Sequence, residues 1–282
     1  MIKKNIGEKI DNQKIEIKLL LEAINMKYGY DFRNYSSAHV KRRILHRMSV
    51  AGLANIAEMQ HKVLYDQEFL NIVLSDLSIN VTEMFRDPSF YSAFRKTVVP
   101  ILKTYPFIRI WHAGCSTGEE VYSMAILLKE EGLYDRTQIY ATDFNKIVLQ
   151  KAKEGIYPIE NIKEYTHNYQ QSGGKSSFAD YYMAQYDSVI FEPALKKKIT
   201  FAEHNLVTDG VFGEMHVIVC RNVLIYFNKE LQNNVIKLFS DSISKGCFLC
   251  LGSKESLDFS TSSEGFENFV IKEKIYRKKY LL

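Results

Sequence analysis

The chain has 282 residues, 46% hydrophobic and 25% charged, enough to bury a sizeable core over one large or two smaller domains. No run of 18 apolar residues occurs, which excludes a membrane-spanning helix, and the opening MIKKNIGEKIDNQK lacks the apolar core of a signal peptide, so a cytoplasmic location is expected. The net charge of +4 is concentrated in residues 1–100, where 15 Lys and Arg stand against 11 Asp and Glu, an excess too modest to argue for nucleic acid.

The first hundred residues read as helices. Ile15 to Met26 is apolar at helical spacing, which predicts a core stripe of Ile15, Leu19, Ala23 and Met26 ending near Gly29. A second helix is predicted over Ser37–Val50, with Ser36 or Ser37 as N-cap and Gly52 beyond its end. Its Val40, Ile44, Leu45 and Met48 form an apolar stripe, while His39, Arg42, Arg43, His46 and Arg47 line the other side. No acid occurs between Asp31 and Glu58, so little internal salt bridging is expected and the basic face reads as a docking surface or a solvated one. Shorter helices follow near 54–64 and 67–77. Asp87 and Pro88 then give an N-cap and N1 pair for a helix to about Leu102, which leaves Asn80 to Arg86 as a polar connector.

From Phe107 the pattern alternates strand and helix. The apolar run 107–113 predicts a buried strand, the Gly114-Cys-Ser-Thr-Gly118 loop a close backbone approach, and Glu119 the start of a helix. This is the opening unit of a nucleotide-binding α/β sheet, although two glycines fall short of the three of the dinucleotide fingerprint, which disfavours a nicotinamide oxidoreductase. A second strand, 138–142, ends in Asp143, 25 residues after Gly118, near the separation at which an acid grips ribose hydroxyls. A helix follows over about 146–154. Residues 166–198 break the alternation, with a flexible 170–177 stretch and a hairpin about Tyr186-Asp187 that read as an inserted subdomain. A strand at 198–206 ends in a polar loop, and the buried strand at 215–220 ends in Arg221-Asn222, where open α/β sheets bind ligands. A helix at 229–244, a strand at 247–251 and a last strand pair through 269–280 bring the count to seven. Cys247 and Cys250 lie inside that apolar strand and read as core cysteines rather than metal ligands.

Several of these pieces resemble, in order, motifs of the chemotaxis receptor methyltransferases, the CheR family: Asn80-Val-Thr-Glu-Met-Phe-Arg86-Asp-Pro, Ala113-Gly-Cys-Ser-Thr-Gly-Glu-Glu120, Ala141-Thr-Asp143, Asn205-Leu206, Cys220-Arg-Asn-Val-Leu-Ile-Tyr-Phe227 and Leu251-Gly-Ser-Lys-Glu255. The resemblance implies an N-terminal all-helical domain (1–87) and a Rossmann-like class I methyltransferase domain (88–282) with a seven-strand, mostly parallel sheet. A small β-subdomain is inserted at about 170–194. It implies S-adenosylmethionine as cofactor, S-adenosylhomocysteine as product and receptor glutamate γ-carboxylates as acceptors. By the same matching, Asn80, Thr82, Arg86, Glu120, Asp143, Asn205, Leu206, Arg221 and Asn222 contact the cofactor, and Arg86 and Tyr226 flank the transferred methyl. Arg42, Arg43 and Arg47 resemble the surface that reads glutamate-rich receptor helices, and the hairpin resembles a subdomain that in some members grips a receptor tail peptide. No metal, nucleic-acid partner or membrane insertion is implied. Two departures stand out: Ser253-Lys254 replaces the usual His-Ser, and Met84 stands where an aromatic or small residue is commoner. A non-catalytic relative, or a methyltransferase acting on another substrate, is the alternative. The reaction itself suits the residues, because an ionised glutamate needs no general base and catalysis is chiefly positioning.

Overall fold

The computed structural model describes residues 12–78, 81–258 and 260–280. Its contacts divide the chain into two compact units, one of residues 1–79 with 226–228 and one of 80–225 with 229–282. Residues 81–87, expected with the helices, thus belong to the second unit, where Phe85 N–H donates to Ser123 Oγ at 2.8 Å. No helix of the described residues is long and apolar enough to cross a membrane.

The first unit is helical: α1 (Asn12–Tyr28), α2 (Ser37–Val50), α3 (Ile56–Tyr65) and α4 (Gln67–Leu77). Side-chain caps start α3 and α4, where Asn55 accepts from Glu58 N–H and Asp66 from Phe69 N–H. The stripe expected to bury α1 is on the wrong side. Ile15, Leu19 and Met26 are exposed, and the helix packs through Leu20, Leu21 and Ile24. This helix has apolar residues on most of its circumference, so spacing alone does not single out the buried face. Val40 and Ile44 of α2 are buried as expected.

The second unit opens with α5 (Pro88–Ala93), a π-helical segment at Phe94–Val98 and α6 (Val99–Leu102). Pro100, which cannot donate an intrahelical hydrogen bond, follows the widened turn. The elements then run β1 (Ile108–Ala113), α7 (Glu119–Glu130), β2 (Thr137–Asp143), α8 (Lys146–Glu154), β3 (Ile156–Pro158), α9 (Ile162–Gln171), β4 (Tyr182–Gln185), β5 (Ser188–Phe191), β6 (Ile199–Glu203), β7 (Met215–Cys220), α10 (Lys229–Ser242), β8 (Ile243–Leu251), β9 (Phe266–Val270) and β10 (Ile275–Lys278).

Seven strands form one sheet in the order β6-β2-β1-β7-β8-β10-β9. Neighbours are parallel from β6 to β8 and antiparallel around β10. Every residue of α7 from Val121 to Leu128 is buried, as is every residue of β7 except His216. Each such large apolar side chain contributes roughly 1.5–3 kcal/mol by leaving water. The order reverses between β1 and β7, so the carboxyl ends of β1, β2 and β7 border a topological switch point.

The inserted sheet has three strands, in the order β3-β5-β4. It therefore begins at Ile156, earlier than the 170–194 hairpin expected, and α9 lies within it. A three-residue strand ending in proline carries no alternation to read. Glu130 of α7 anchors the insertion, accepting Tyr181 OH at 3.0 Å, Lys175 N–H at 2.9 Å and the Tyr169 hydroxyl.

Candidate active site

Four chain segments meet at the carboxyl ends of the central strands: the connector 81–87, the β1–α7 loop, the end of β2, and the loop after β7. Six described non-glycine residues have left-handed backbone, and four of them lie here: Phe85 (φ 52°), Asp87 (φ 54°), Ser116 (φ 51°) and Asn222 (φ 60°). Such strain is held only where surroundings over-determine it, and it concentrates at functional sites.

The β1–α7 loop turns on its glycines. A Cβ at Gly114 (φ 78°) would sit 2.8 Å from Val223 Cγ2, and one at Gly118 (φ 94°) 2.9 Å from Ala152 Cβ. The turn brings Ser116 N–H to Asp143 Oδ2 at 3.0 Å, joining the glycine loop to the acid at the end of β2 as the 25-residue separation suggested. Asn145 N–H holds the other oxygen, Oδ1, at 3.0 Å. Burial pushes the Asp143 carboxyl up, and these backbone donors oppose it. Phe144 N–H is a third backbone donor to this carboxylate, whose two oxygens have about four acceptor positions between them, enough for a further hydroxyl.

Glu120, in the first turn of α7, is held from two sides. Its Oε1 lies 3.3 Å from His112 Nδ1 and its Oε2 accepts Arg221 Nη1 at 2.9 Å. Burial by itself would raise its pKa, but the hydrogen bond from His112 and the charge of Arg221 outweigh it and hold the carboxyl below the usual range.

Arg221 ties the segments together. It donates to Glu120, to Asp87 Oδ2 at 2.7 Å and to the Arg86 carbonyl at 3.1 Å, and its guanidinium lies 4.2 Å from the centre of the Phe90 ring. Its two terminal nitrogens are thus engaged within the protein, while its buried Nε has no partner among the described residues. Asp87, expected to cap α5, makes no side-chain cap; its left-handed backbone turns the carboxylate toward Arg221 instead.

Glu255, quoted in a motif but given no role, organises the loop after β7. Its Oε2 accepts Asn222 N–H at 3.0 Å and Gly252 N–H at 2.6 Å, and its Oε1 accepts Ile225 N–H at 3.2 Å. Burial raises its pKa against these donors. A lone acid after an apolar strand was the only signal of it. His112 and Ser116 were likewise missed, standing inside an apolar run and a small-residue loop.

Arg86 is half-buried, and its Nη1 donates to Val81 O at 3.0 Å. It makes no ion pair among the described residues. Thr82 is half-buried in the same connector. Asn205 and Leu206 follow β6, where Asn205 forms an Asx turn onto Val207 N–H at 3.0 Å. Asn80 lies outside the described residues. Tyr226 belongs to the helical unit, where its carbonyl accepts Ser36 N–H at 2.7 Å and its ring meets His39 edge-on.

On α2 the basic face is smaller than expected. Arg47 pairs with Asp76 of α4, an acid 29 residues away that local sequence could not reveal. Arg43 is half-buried, and Arg42 is exposed beside His39.

The residues at these strand ends fit S-adenosylmethionine. Ser116 Oγ and His112 Nε2 are buried without a partner in the structure, the glycines allow close backbone approach, and Asp143 and Glu120 supply acceptors for a diol and a cationic amine.

Residues 80–275 match the family model of the CheR methyltransferase SAM-binding domain, and residues 15–78 that of the CheR methyltransferase all-alpha domain. Cher3 of Pseudomonas putida is 52% identical over 267 residues, covering 95% of this chain and 98% of its own length. The chemotaxis protein methyltransferase of Listeria innocua is 30% identical, covering 81% and 85% respectively. That of Borreliella burgdorferi is 29% identical, covering 88% and 90%. The chain therefore belongs to the CheR methyltransferase family, and its α/β unit is an S-adenosylmethionine-binding methyltransferase domain.

Proposed function

We propose that this protein methylates the γ-carboxylate of glutamates in the cytoplasmic helices of chemoreceptors, giving methyl esters and S-adenosylhomocysteine, in chemotaxis adaptation. The observation that carries this reading is Arg86. It is a half-buried arginine that makes no ion pair among the described residues, its charge reaching only as far as opposing the burial that pushes the Glu83 carboxyl up, on a connector whose backbone Arg221 grips. Its guanidinium suits a carboxylate, which two parallel donors can orient. Relatives named chemotaxis protein methyltransferase support the acceptor class.

When bound, the sulfonium supplies both an electrophilic methyl and its leaving group. The protein's share is to bind and orient. Asp143 accepts the ribose hydroxyls, Glu120 faces the amino end, and Thr82, Asn205, Leu206 and Asn222 line the cofactor; Arg221 acts through Glu120 and Asp87. Asn80 and Tyr226 enter on the motif match. Arg42 leads the docking surface, with Arg43 beside it and Arg47 restrained by Asp76. Strand β4 is an edge of the inserted sheet, with Met183 and Tyr186 exposed, which supports addition of a receptor tail peptide there.

The test uses methyl-labelled S-adenosylmethionine and a receptor cytoplasmic fragment. Label released as methanol by mild alkali is expected, reduced roughly 10²-fold or more in Arg86→Ala. Alkali-stable label, or none, would overturn the reading.

A further inference from the structure

The connector that carries Arg86 is held on three successive backbone groups, each from a different element. Met84 O accepts Asn168 Nδ2 at 3.2 Å, Phe85 N–H donates to Ser123 Oγ at 2.8 Å, and Arg86 O accepts Arg221 Nη1 at 3.1 Å. Ser123 stands on α7 and Arg221 follows β7, so both belong to the framework of the main sheet. Asn168 comes instead from α9, a helix of the insertion, 84 residues further along the chain.

More than one contact brings α9 to the connector. Tyr169 meets the Phe85 ring edge-on at 5.3 Å between centroids, and Phe178, also of the insertion, meets it at 6.2 Å. Glu164 lies one turn before Asn168 on the same helix face and meets Glu83, whose carboxyl is pushed up first by burial and then by the Glu164 charge. The helix thus runs along the connector in step, 164 beside 83 and 168 beside 84. Its own place is fixed by Glu130 of α7, which accepts the Tyr169 hydroxyl and is in turn held by Arg95. The connector needs such restraint. Phe85 and Asp87, on either side of Arg86, both have left-handed backbone, φ 52° and 54°, which non-glycine residues keep only when held. Freed of the Met84 bond, that stretch can return to ordinary φ and carry the Arg86 side chain out of line.

We infer that Asn168 is a positioning residue for methyl transfer: by fixing the Met84 carbonyl it sets the direction of Arg86, and so makes α9 part of the catalytic framework. This role rests on the reading of Arg86 as the group that orients the acceptor carboxylate. Asparagine is a poor residue for mid-helix, and the donor it gives Met84 is the compensation visible here. Asn168 acts through Arg86, whereas a residue that only pinned α9 would act on the fold.

The test compares Asn168→Leu, which keeps the size and loses the donor, with Asn168→Gln, which keeps the donor. Leucine is the better helix former, so a frayed α9 would not account for a loss. With labelled S-adenosylmethionine and a receptor cytoplasmic fragment, kcat for alkali-labile ester should fall roughly tenfold in Asn168→Leu and largely recover in Asn168→Gln. In an Arg86→Ala background the leucine substitution should cost nothing further, because the residue it acts through is gone. An equal loss in both backgrounds would overturn the inference. So would full activity in Asn168→Leu, or a loss in Asn168→Gln as deep as in Asn168→Leu. A second readout needs no acceptor: amide hydrogen exchange at Phe85 should be roughly tenfold faster in Asn168→Leu and near wild type in Asn168→Gln. Unchanged protection at Phe85 would overturn the inference whatever the acceptor is. If wild type forms no alkali-labile ester while exchange responds as expected, the acceptor assignment fails and the hold of Asn168 on the connector stands.

Discussion

Glu119 opens α7 directly beside the Gly114–Gly118 loop, yet only 6% of its surface is exposed. Burial pushes its carboxyl from 4.5 up to about 7, opposed only by the Thr117 hydroxyl, which donates to Oε2 at 2.6 Å, and by a backbone hydrogen bond. The folded chain therefore keeps a proton that the unfolded chain gives up above about 4.5. The stabilisation this proton represents is fully present below that value and is lost as pH rises through about 7. At about 1.36 kcal/mol per unit, the 2.5-unit gap corresponds to about 3 kcal/mol. Glu119→Gln keeps the shape and abolishes the titration. Urea unfolding followed by the fluorescence of Trp111, fully buried in the same unit, would measure both proteins from pH 4.5 to 8. The variant should match wild type near pH 4.5 and gain about 3 kcal/mol relative to it by pH 8. A difference that stays constant across that range would refute the argument, because it would mean that Glu119 titrates alike in both states.

Gly252→Ala would place a Cβ 2.7 Å from Asn222 N and 2.8 Å from Glu255 Oε2. It should cost about 1–3 kcal/mol and weaken cofactor binding, read by thermal unfolding and calorimetry on the same sample. Asp76→Ala should destabilise the helical unit by about 1 kcal/mol, since it leaves the half-buried Arg47 without its acid. A double-mutant cycle with Arg47→Ala should return a coupling of the same size.

Local signals were enough where one residue type has one physical use. Helices α2, α4 and α8 keep their expected bounds: Gly52 and Gly155 follow α2 and α8, and the side chains of Asp66 and Asn145 cap α4 and α8. The glycine loop and Asp143 meet because a strand, a loop, a helix and a second strand of these lengths return the chain to the same edge. What escaped depended on partners distant in sequence. Arg47 looked free until Asp76 came across from α4, and Asp87 looked like a cap until its backbone turned toward Arg221. Glu255 binds backbone N–H groups 30 and 33 residues away, which no spacing rule encodes. The buried face of α1 was settled by the helices that cover it rather than by its own pattern.

The most direct test of the site is calorimetric titration of S-adenosylmethionine and S-adenosylhomocysteine into wild type and Asp143→Ala. Asp143 joins the glycine loop to the end of β2 and is assigned to the ribose. Binding by wild type, weakened at least tenfold in Asp143→Ala with the fold retained, is the predicted result. Equal affinity in the two proteins would contradict the placement of the cofactor at this strand edge.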